Sequence, residues 1–255
     1  MAEPLYLQRD QPAGVPPLAL TGERTLPDVP EENYWFRRHL VVYEWIAARA
    51  HGRRVVDLAC GEGYGSAVLA HTAASVVGVE ANPEAFEHAR LKYGGERLRF
   101  ERAMVETWRG DVDCVVFLQT IEHVHDPDAV LQRVRGLIGP RGVAYVSTPN
   151  VLTLAPPGAE RSGNPWHVRE YRPEAFRALC ARHFGSVDLL GVFHARRLRA
   201  HELAIERLGW DAIHRRLRVT EPFYARFVPA ISVRDFRLRR DGLARALDLV
   251  AVLRP

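Results

Sequence analysis

Lysine is almost missing from this chain. Lys92 is the only one, so a formal charge of +4 over 255 residues rests on arginine. The arginines are dispersed along the whole length, which argues against the continuous basic groove with which a protein tracks a nucleic-acid backbone. Cysteine is as scarce: Cys60, Cys114 and Cys180 are odd in number, widely spaced and set in apolar surroundings. That usage excludes a disulfide framework and reads as reduced core thiols of a cytoplasmic protein. No apolar run approaches the ~18 residues of a membrane span, and the first residues lack the core of a signal peptide. There is no internal repeat. These absences leave a chain long enough to bury one α/β core, alone or with a small appended part.

What is present centres on Val55-Val56-Asp57-Leu58-Ala59-Cys60-Gly61-Glu62-Gly63-Tyr64-Gly65-Ser66. The apolar run up to Asp57 suits a buried strand, the three glycines suit a tight turn that lets backbone approach a ligand, and the residues after Ser66 suit the start of a helix. Alone, such a turn is also a common structural connection. The following apolar run from Ser75 ends in Glu80, where a carboxylate at a strand tip accepts hydrogen bonds from both hydroxyls of a ribose. No lysine follows the glycines, which argues against a phosphate-gripping loop, and Asp57 suits an ammonium or an ordered water better than a pyrophosphate. A cationic adenosine ligand without phosphates meets these conditions. S-adenosylmethionine is one, and the stretch resembles motif I of the class I methyltransferases, with Ala59 in place of the first glycine of D/E-x-G-x-G-x-G. The expected cofactor contacts are Asp57, Ala59, Gly61, Gly63, Glu80 and its neighbour Ala81, with Ala103 and Met104 bracketing the adenine.

Strands and helices alternate through the rest of the chain. Helices are expected near 64–73, from Asn82 as a cap with Pro83 in the first turn, near 127–138 before Gly139-Pro140, and from Pro173 to His183. Strands are expected to end at Glu80 and to run from Leu98 to Ala103, Asp113 to Leu118, Gly142 to Ser147, Val187 to Phe193 and Ala246 to Leu253. The pattern predicts an α/β chain with a Rossmann-like, doubly wound, seven-stranded sheet, mostly parallel with an antiparallel last strand, and ligands at the carboxyl ends of the strands. Residues 1–20 read as a mobile tail rich in proline. Residues 21–50 read as a cap segment and helix in which Tyr34, Trp35 and Phe36 can cover the pocket, and 51–193 as the core. Within it, 149–172 carries four prolines and no apolar period and reads as a substrate loop. Residues 194–240 read as a helical lid or a dimer-forming insertion, the latter giving a homodimer, and 241–255 as the closing strand.

Methylating a hydroxyl requires positioning and relief of the oxygen's proton, and an aliphatic hydroxyl needs a base or a metal for that. Gln119, Glu122 and His123 fall in one turn at the tip of the fourth strand, beside the expected sulfur end of the cofactor, which Gln119 is expected to contact, and His167 comes from the loop after the fifth. A glutamate and two histidines with a side-chain amide suit a divalent ion that keeps open positions; a hydrogen-bonded structural Glu122–His123 pair accounts for the same residues. The turn Gln119-Thr120-Ile121-Glu122-His123, the strand end Ser147-Thr148-Pro149-Asn150 and His167 resemble the E-x-x-E-H, S-T-P-N and downstream histidine of metal-dependent methyltransferases. These include small-RNA 2′-O-methyltransferases and ubiquinone-pathway O-methyltransferases. The resemblance implies Glu122, His123 and His167 as catalytic groups and as ligands of magnesium or manganese, with Gln119 a neutral ligand where the family has its first glutamate.

A longer set of motifs covers nearly the whole chain after residue 20: T-G-E-R-T-x-P, E-N-Y-W-F-R-R-H-x-V-V-Y, A-C-G-E-G-Y-G, Q-x-I-E-H, V-S-T-P-N, N-P-W-H-x-R-E, F-H-x-R-R-L and L-D-L-V-A. Together they are similar to the actinobacterial methyltransferases linked to methylglucose lipopolysaccharide biosynthesis. This implies O-methylation of a sugar hydroxyl on an oligosaccharide acceptor. Arg24, Tyr34 and His39 would then lie near the methionine carboxylate, and Trp166, Tyr171 and His194 would face the sugar. An RNA 2′-hydroxyl and a quinone- or phenol-like small molecule remain alternative acceptors, and a cofactor sensor without chemistry is a third class.

Overall fold

A computed structural model describes residues 6–22, 24–156, 158–208 and 221–255. Its strands are β1 (Arg54–Leu58), β2 (Ser75–Glu80), β3 (Leu98–Arg102), β4 (Val112–Leu118), β5 (Ile138–Pro149), β6 (Ser186–His194), β7 (Phe236–Arg239) and β8 (Asp248–Arg254). They form one sheet in the order β3-β2-β1-β4-β5-β8-β6-β7. Pairing is parallel from β3 to β5, whereas β8 runs antiparallel to both β5 and β6. The helices are α1 (Asn33–Ala47), α2 (Tyr64–Ala70), α3 (Pro83–Tyr93), α4 (Pro127–Leu137), α5 (Val151–Leu154), α6 (Pro173–Ala181), α7 (Arg196–Leu208) and α8 (Glu221–Phe227).

Period-two alternation in the strands decides which helices cover which face. In β4, Cys114, Val116 and Leu118 pack with Val42, Tyr43 and Ile46 of α1 and Leu69 of α2. Val115 and Phe117 point the other way, onto Val130, Leu131 and Val134 of α4 and Phe176 of α6. The order reverses between β1 and β4, so the connections leaving these neighbouring strands diverge and open a crevice at their carboxyl ends.

Two expectations need correction. The sheet has eight strands among the described residues instead of seven, because Phe236–Arg239 pairs antiparallel with β6 and extends the sheet edge. Phe236-Arg237-Leu238-Arg239 alternates apolar and charged residues, the period of a strand exposed on one side, and the helical spacing that precedes it masked the signal. Residues 6–20, expected as a mobile tail, are packed. Leu18 is buried in a cluster with Leu26, Val29 and Ala85, Leu7 bridges Ala19, the Gln8 amide donates to Glu62 (3.0 Å), and the Pro16 carbonyl accepts from His88 Nδ1 (2.7 Å). These partners lie far along the chain, so the segment carries no local periodicity although it is ordered in the fold. Residues 1–5 lie outside the described residues, as do 209–220 within the expected helical insertion.

Of two further expectations on local chemistry, one holds and one does not. Asn82 caps α3 by accepting from the Glu84 and Ala85 N–H groups. α4 runs straight into β5 at Ile138, so Gly139-Pro140 begins the strand instead of separating the two elements. A buried ion pair, Arg38 to Asp248 at 2.6 Å with side chains 5% and 1% exposed, ties α1 to β8 and thereby fixes the wall of the crevice to the sheet. No described helix is long and apolar enough to cross a membrane.

Candidate active site

The crevice holds a cavity of about 850 Å³. At its β1–β2 end, Ala59, Gly61, Glu80 and Ala81 line it. Glu80 Oε2 accepts from the Gly61 N–H and Oε1 from the Asn82 N–H, each at 2.8 Å. One backbone donor thus orients each oxygen and leaves it further acceptor capacity for a ribose hydroxyl. Gly61 sits at φ +58, and a Cβ there would meet no atom within 4 Å, so any side chain would project into open space at the cavity wall. Ala59 is also left-handed, at φ +55, which costs an L-residue about 1–2 kcal/mol and explains why motif I ordinarily has glycine there. Gly65 is required for a different reason: a Cβ would lie 2.2 Å from the Tyr43 ring, so its absence lets α2 pack on α1.

Several predicted cofactor residues stand behind this wall. Asp57 is fully buried and faces α1 and α2, its Oδ2 accepting from the Ser66 hydroxyl (2.7 Å) and its Oδ1 from the Tyr43 hydroxyl (3.3 Å). Burial pushes its carboxyl up to about 7, with Ser66 and Tyr43 pulling the other way. Gly63, at φ +96, opens α2 and does not line the cavity. The Ala103 N–H donates to the Glu80 carbonyl (3.2 Å), which holds it beside the strand tip, but neither it nor Met104, 56% exposed, lines the cavity.

The roof comes from the cap segment. Arg24, Thr25 and His39 line the cavity, with Thr25 Oγ1 against His39 Nδ1 at 3.2 Å. Burial pushes His39 down to about 4, so its ring is neutral at ordinary pH. Tyr34 is not there: its hydroxyl meets His194 Nε2 at 2.8 Å, away from the cavity. Trp35, Arg38 and His39 share the inward face instead, as the three- and four-residue spacing of a helix requires, and Tyr34 falls outside that stripe. Arg38 escaped the sequence reading because only the phase of α1 distinguishes it from Arg37.

At the β4–β5 end, Gln119 turns at φ +51 into the short helical turn Ile121–His123. Ligand atoms of Glu122, His123 and His167 lie within 4.8 Å of one another. Glu122 is buried, its Oε2 has no hydrogen-bond partner, and burial pushes its carboxyl up to about 8. His123 Nδ1 lies 2.8 Å from the Trp166 carbonyl, and its Nε2 lies 4.0 Å from Glu122 Oε1. His167 Nδ1 donates to Glu170 at 2.7 Å. Burial raises the Glu170 carboxyl, but bonds from Ser162 and His167 outweigh that and hold it below the usual range. Gln119 lines the same cavity with its amide nitrogen donating to Ser147 Oγ (2.9 Å), so it could ligate only through its oxygen. The substrate loop is fastened to this turn, since the Glu122 carbonyl accepts from the Val168 and Arg169 N–H groups.

Of the three residues expected to face the acceptor, only Trp166 lines the cavity, at 49% exposure. Tyr171 is buried against Phe176, and His194 belongs to the contact with Tyr34. Thr25, Tyr64 and His125 also line the cavity. Tyr64 was visible as part of the glycine motif, whereas nothing local marks Thr25 or His125.

A sheet of this order, with an antiparallel strand beside β5 and a cavity at the β1–β4 switch point, defines the class I methyltransferase architecture. Known proteins place the chain within it. The family model described as "Methyltransferase domain" matches residues 33–201. A protein of Mycobacterium tuberculosis named as a probable S-adenosylmethionine-dependent methyltransferase is 36% identical over 244 residues, spanning 92% of this chain and 89% of that relative. The ubiquinone biosynthesis O-methyltransferase of Bordetella avium is 33% identical over 116 residues, or 42% of this chain and 48% of that relative. A solved S-adenosylmethionine-dependent methyltransferase of Thermotoga maritima has a TM-score of 0.59 at 15% identity, covering 88% of this chain and 94% of that one. The chain belongs to the S-adenosylmethionine-dependent methyltransferases; it is an enzyme, and S-adenosylmethionine is its cofactor.

Proposed function

We propose that the enzyme methylates a hydroxyl of a sugar within an oligosaccharide, of the methylglucose lipopolysaccharide type, assisted by magnesium or manganese held by Glu122, His123 and His167. One observation carries the reading: the Glu122, His123 and His167 side chains open onto the same cavity as Gly61 and Glu80. The residues suit an ion. A buried carboxylate oxygen without a partner is the atom a cation would satisfy, and two imidazoles with a carboxylate are a common donor set. The chemistry a divalent ion supplies is to lower the pKa of an oxygen it polarises.

The chain's own groups do the rest. Glu80 orients the nucleoside, and His39, kept neutral by burial, can share a proton with Thr25 at the roof. Trp166 offers an aromatic face at the mouth, a surface suited to the C–H side of a pyranose. The long motifs shared with the methylglucose lipopolysaccharide group support the sugar acceptor. The relation to a ubiquinone-pathway enzyme supports a second reading, a phenolic small molecule.

Incubation with isotope-labelled methyl donor, methylglucose oligosaccharides and a quinol analogue, followed by mass spectrometry, separates the two. Label on the oligosaccharide is expected, abolished by chelator and restored by magnesium or manganese. Label on the quinol alone would replace the sugar reading, and full turnover in excess chelator would remove the metal.

A further inference from the structure

Residues 161–170 form a closed set of hydrogen bonds with one carboxylate near its centre. Glu170, its side chain 4% exposed, accepts from the Ser162 N–H (2.8 Å), from the Ser162 hydroxyl and from His167 Nδ1 (2.7 Å). Ser162 Oγ accepts from the Asn164 N–H (3.1 Å), and Asn164 Oδ1 accepts from the Trp166 N–H (3.0 Å). The Trp166 carbonyl in turn faces His123 Nδ1.

These bonds fix where the imidazole protons sit. A carboxylate only accepts, so His167 carries its hydrogen on Nδ1. The Asn164 oxygen is committed to Trp166, so it is the Asn164 amide nitrogen that lies 3.1 Å from His167 Nε2, and that nitrogen only donates. Both contacts require a lone pair on His167 Nε2. A carbonyl beside His123 Nδ1 requires the same tautomer of that ring, with Nε2 directed toward Glu122. Left in water, an imidazole takes either tautomer, and the other would aim an N–H at the cluster.

We infer that Glu170 is a positioning residue that holds His167 in the Nδ1–H tautomer and so presents Nε2 to Glu122 and His123 as a ready ligand atom. The inference rests on the metal reading for its purpose but not for its geometry. A carboxylate behind a ligating histidine also makes the ring a stronger donor, and its removal ordinarily weakens metal binding by about 10–100-fold. Ser162 serves the carboxylate, and the Asn164 amide N–H meets the lone pair on Nε2.

The test uses the full chain with S-adenosylhomocysteine bound. Nitrogen spectra of ¹⁵N-histidine protein, with His167→Gln to identify the signal, are expected to show the Nδ1–H tautomer at His167 in the wild type and in Asn164→Ala, and a shift toward Nε2–H when Glu170→Ala is added to Asn164→Ala, because the Asn164 N–H by itself also requires a lone pair on Nε2. Manganese titration followed by electron paramagnetic resonance is expected to show about 10–100-fold weaker binding in Glu170→Ala with unchanged affinity for S-adenosylhomocysteine. Ser162→Ala separates positioning from simple loop support, because it leaves the Glu170–His167 bond in place, and should retain wild-type tautomer and manganese affinity. If Glu170→Ala does not fold, Glu170→Leu provides the same comparison with most of the bulk retained and no acceptor for the imidazole N–H. An unchanged tautomer when the Glu170 substitution is added to Asn164→Ala, or an equal loss in Ser162→Ala, overturns the inference. A wild type that binds no manganese, with the tautomer shift still seen in the Glu170 variant, removes the metal reading and leaves the positioning role standing.

Discussion

The two ends of the cavity are made of different materials. The β1–β2 end is mostly backbone: turns at Ala59 and Gly61 with positive φ, beside the Glu80 carboxylate held by two N–H groups. The β4–β5 end is side chains: Glu122 and His123 from one turn and His167 from a loop more than forty residues later, each oriented by a further hydrogen bond or by burial. A backbone cradle tolerates little added volume but needs no particular side chain at most positions. A side-chain cluster tolerates shape changes around it but no change of atoms.

The largest expected effect breaks the first end. Gly61→Arg puts a long side chain where the wall is open and should abolish binding of S-adenosylhomocysteine in titration calorimetry. Normal affinity would mean that the cofactor lies elsewhere. Next, His123→Ala should lower turnover by about 10²–10⁴-fold while leaving cofactor affinity intact, so that the two ends fail independently. Equal loss of both would show one coupled site.

A smaller effect compares the two buried carboxyls. Asp57 and Glu122 are raised to about 7 and about 8 in the fold, above the usual 3.8 and 4.5 of these groups. The folded state therefore binds more protons than the unfolded one between those values. Stability is greatest below the unfolded pKa values and falls as pH rises toward 7 for Asp57 and 8 for Glu122, by on the order of a few kcal/mol in the metal-free protein. Denaturant titrations from pH 4 to 8 should show this slope. Asp57→Asn should flatten its lower part and Glu122→Gln its upper part, with manganese offsetting the Glu122 share alone. A slope unchanged in both variants would assign it to other groups. The smallest effect concerns backbone only: Ala59→Gly relieves a left-handed alanine and should raise stability by about 1 kcal/mol or less, read as a small increase in Tm.

The contrast also governs what could be read without coordinates. Consecutive residues carry the cradle, so Asp57 to Gly65 and Glu80 announced a strand, a turn and the next strand tip. Even there the motif points Asp57 at the ligand, whereas the alternation of β1 turns it onto Ser66 and Tyr43. Helix phase relative to the sheet is a tertiary quantity, so the sequence points Tyr34 into the pocket and does not single out Arg38. Tyr171 and His194 look like exposed polar aromatics in the sequence and are spent on Phe176 and Tyr34 instead. The ordered stretch before residue 20 and the edge strand β7 depend on partners that no local window contains.

Short-range chemistry marks the parallel core, the glycine crossover expected to take the adenosyl cofactor and the identity of the three clustered side chains, because periodicity, glycine dihedrals and residue chemistry act over short distances along the chain. Packing sets which face of α1 looks inward and how the loop of His167 closes on Glu122. Those depend on contacts between segments remote in sequence, where packing and hydrogen-bond partners choose among alternatives that local preference leaves equal.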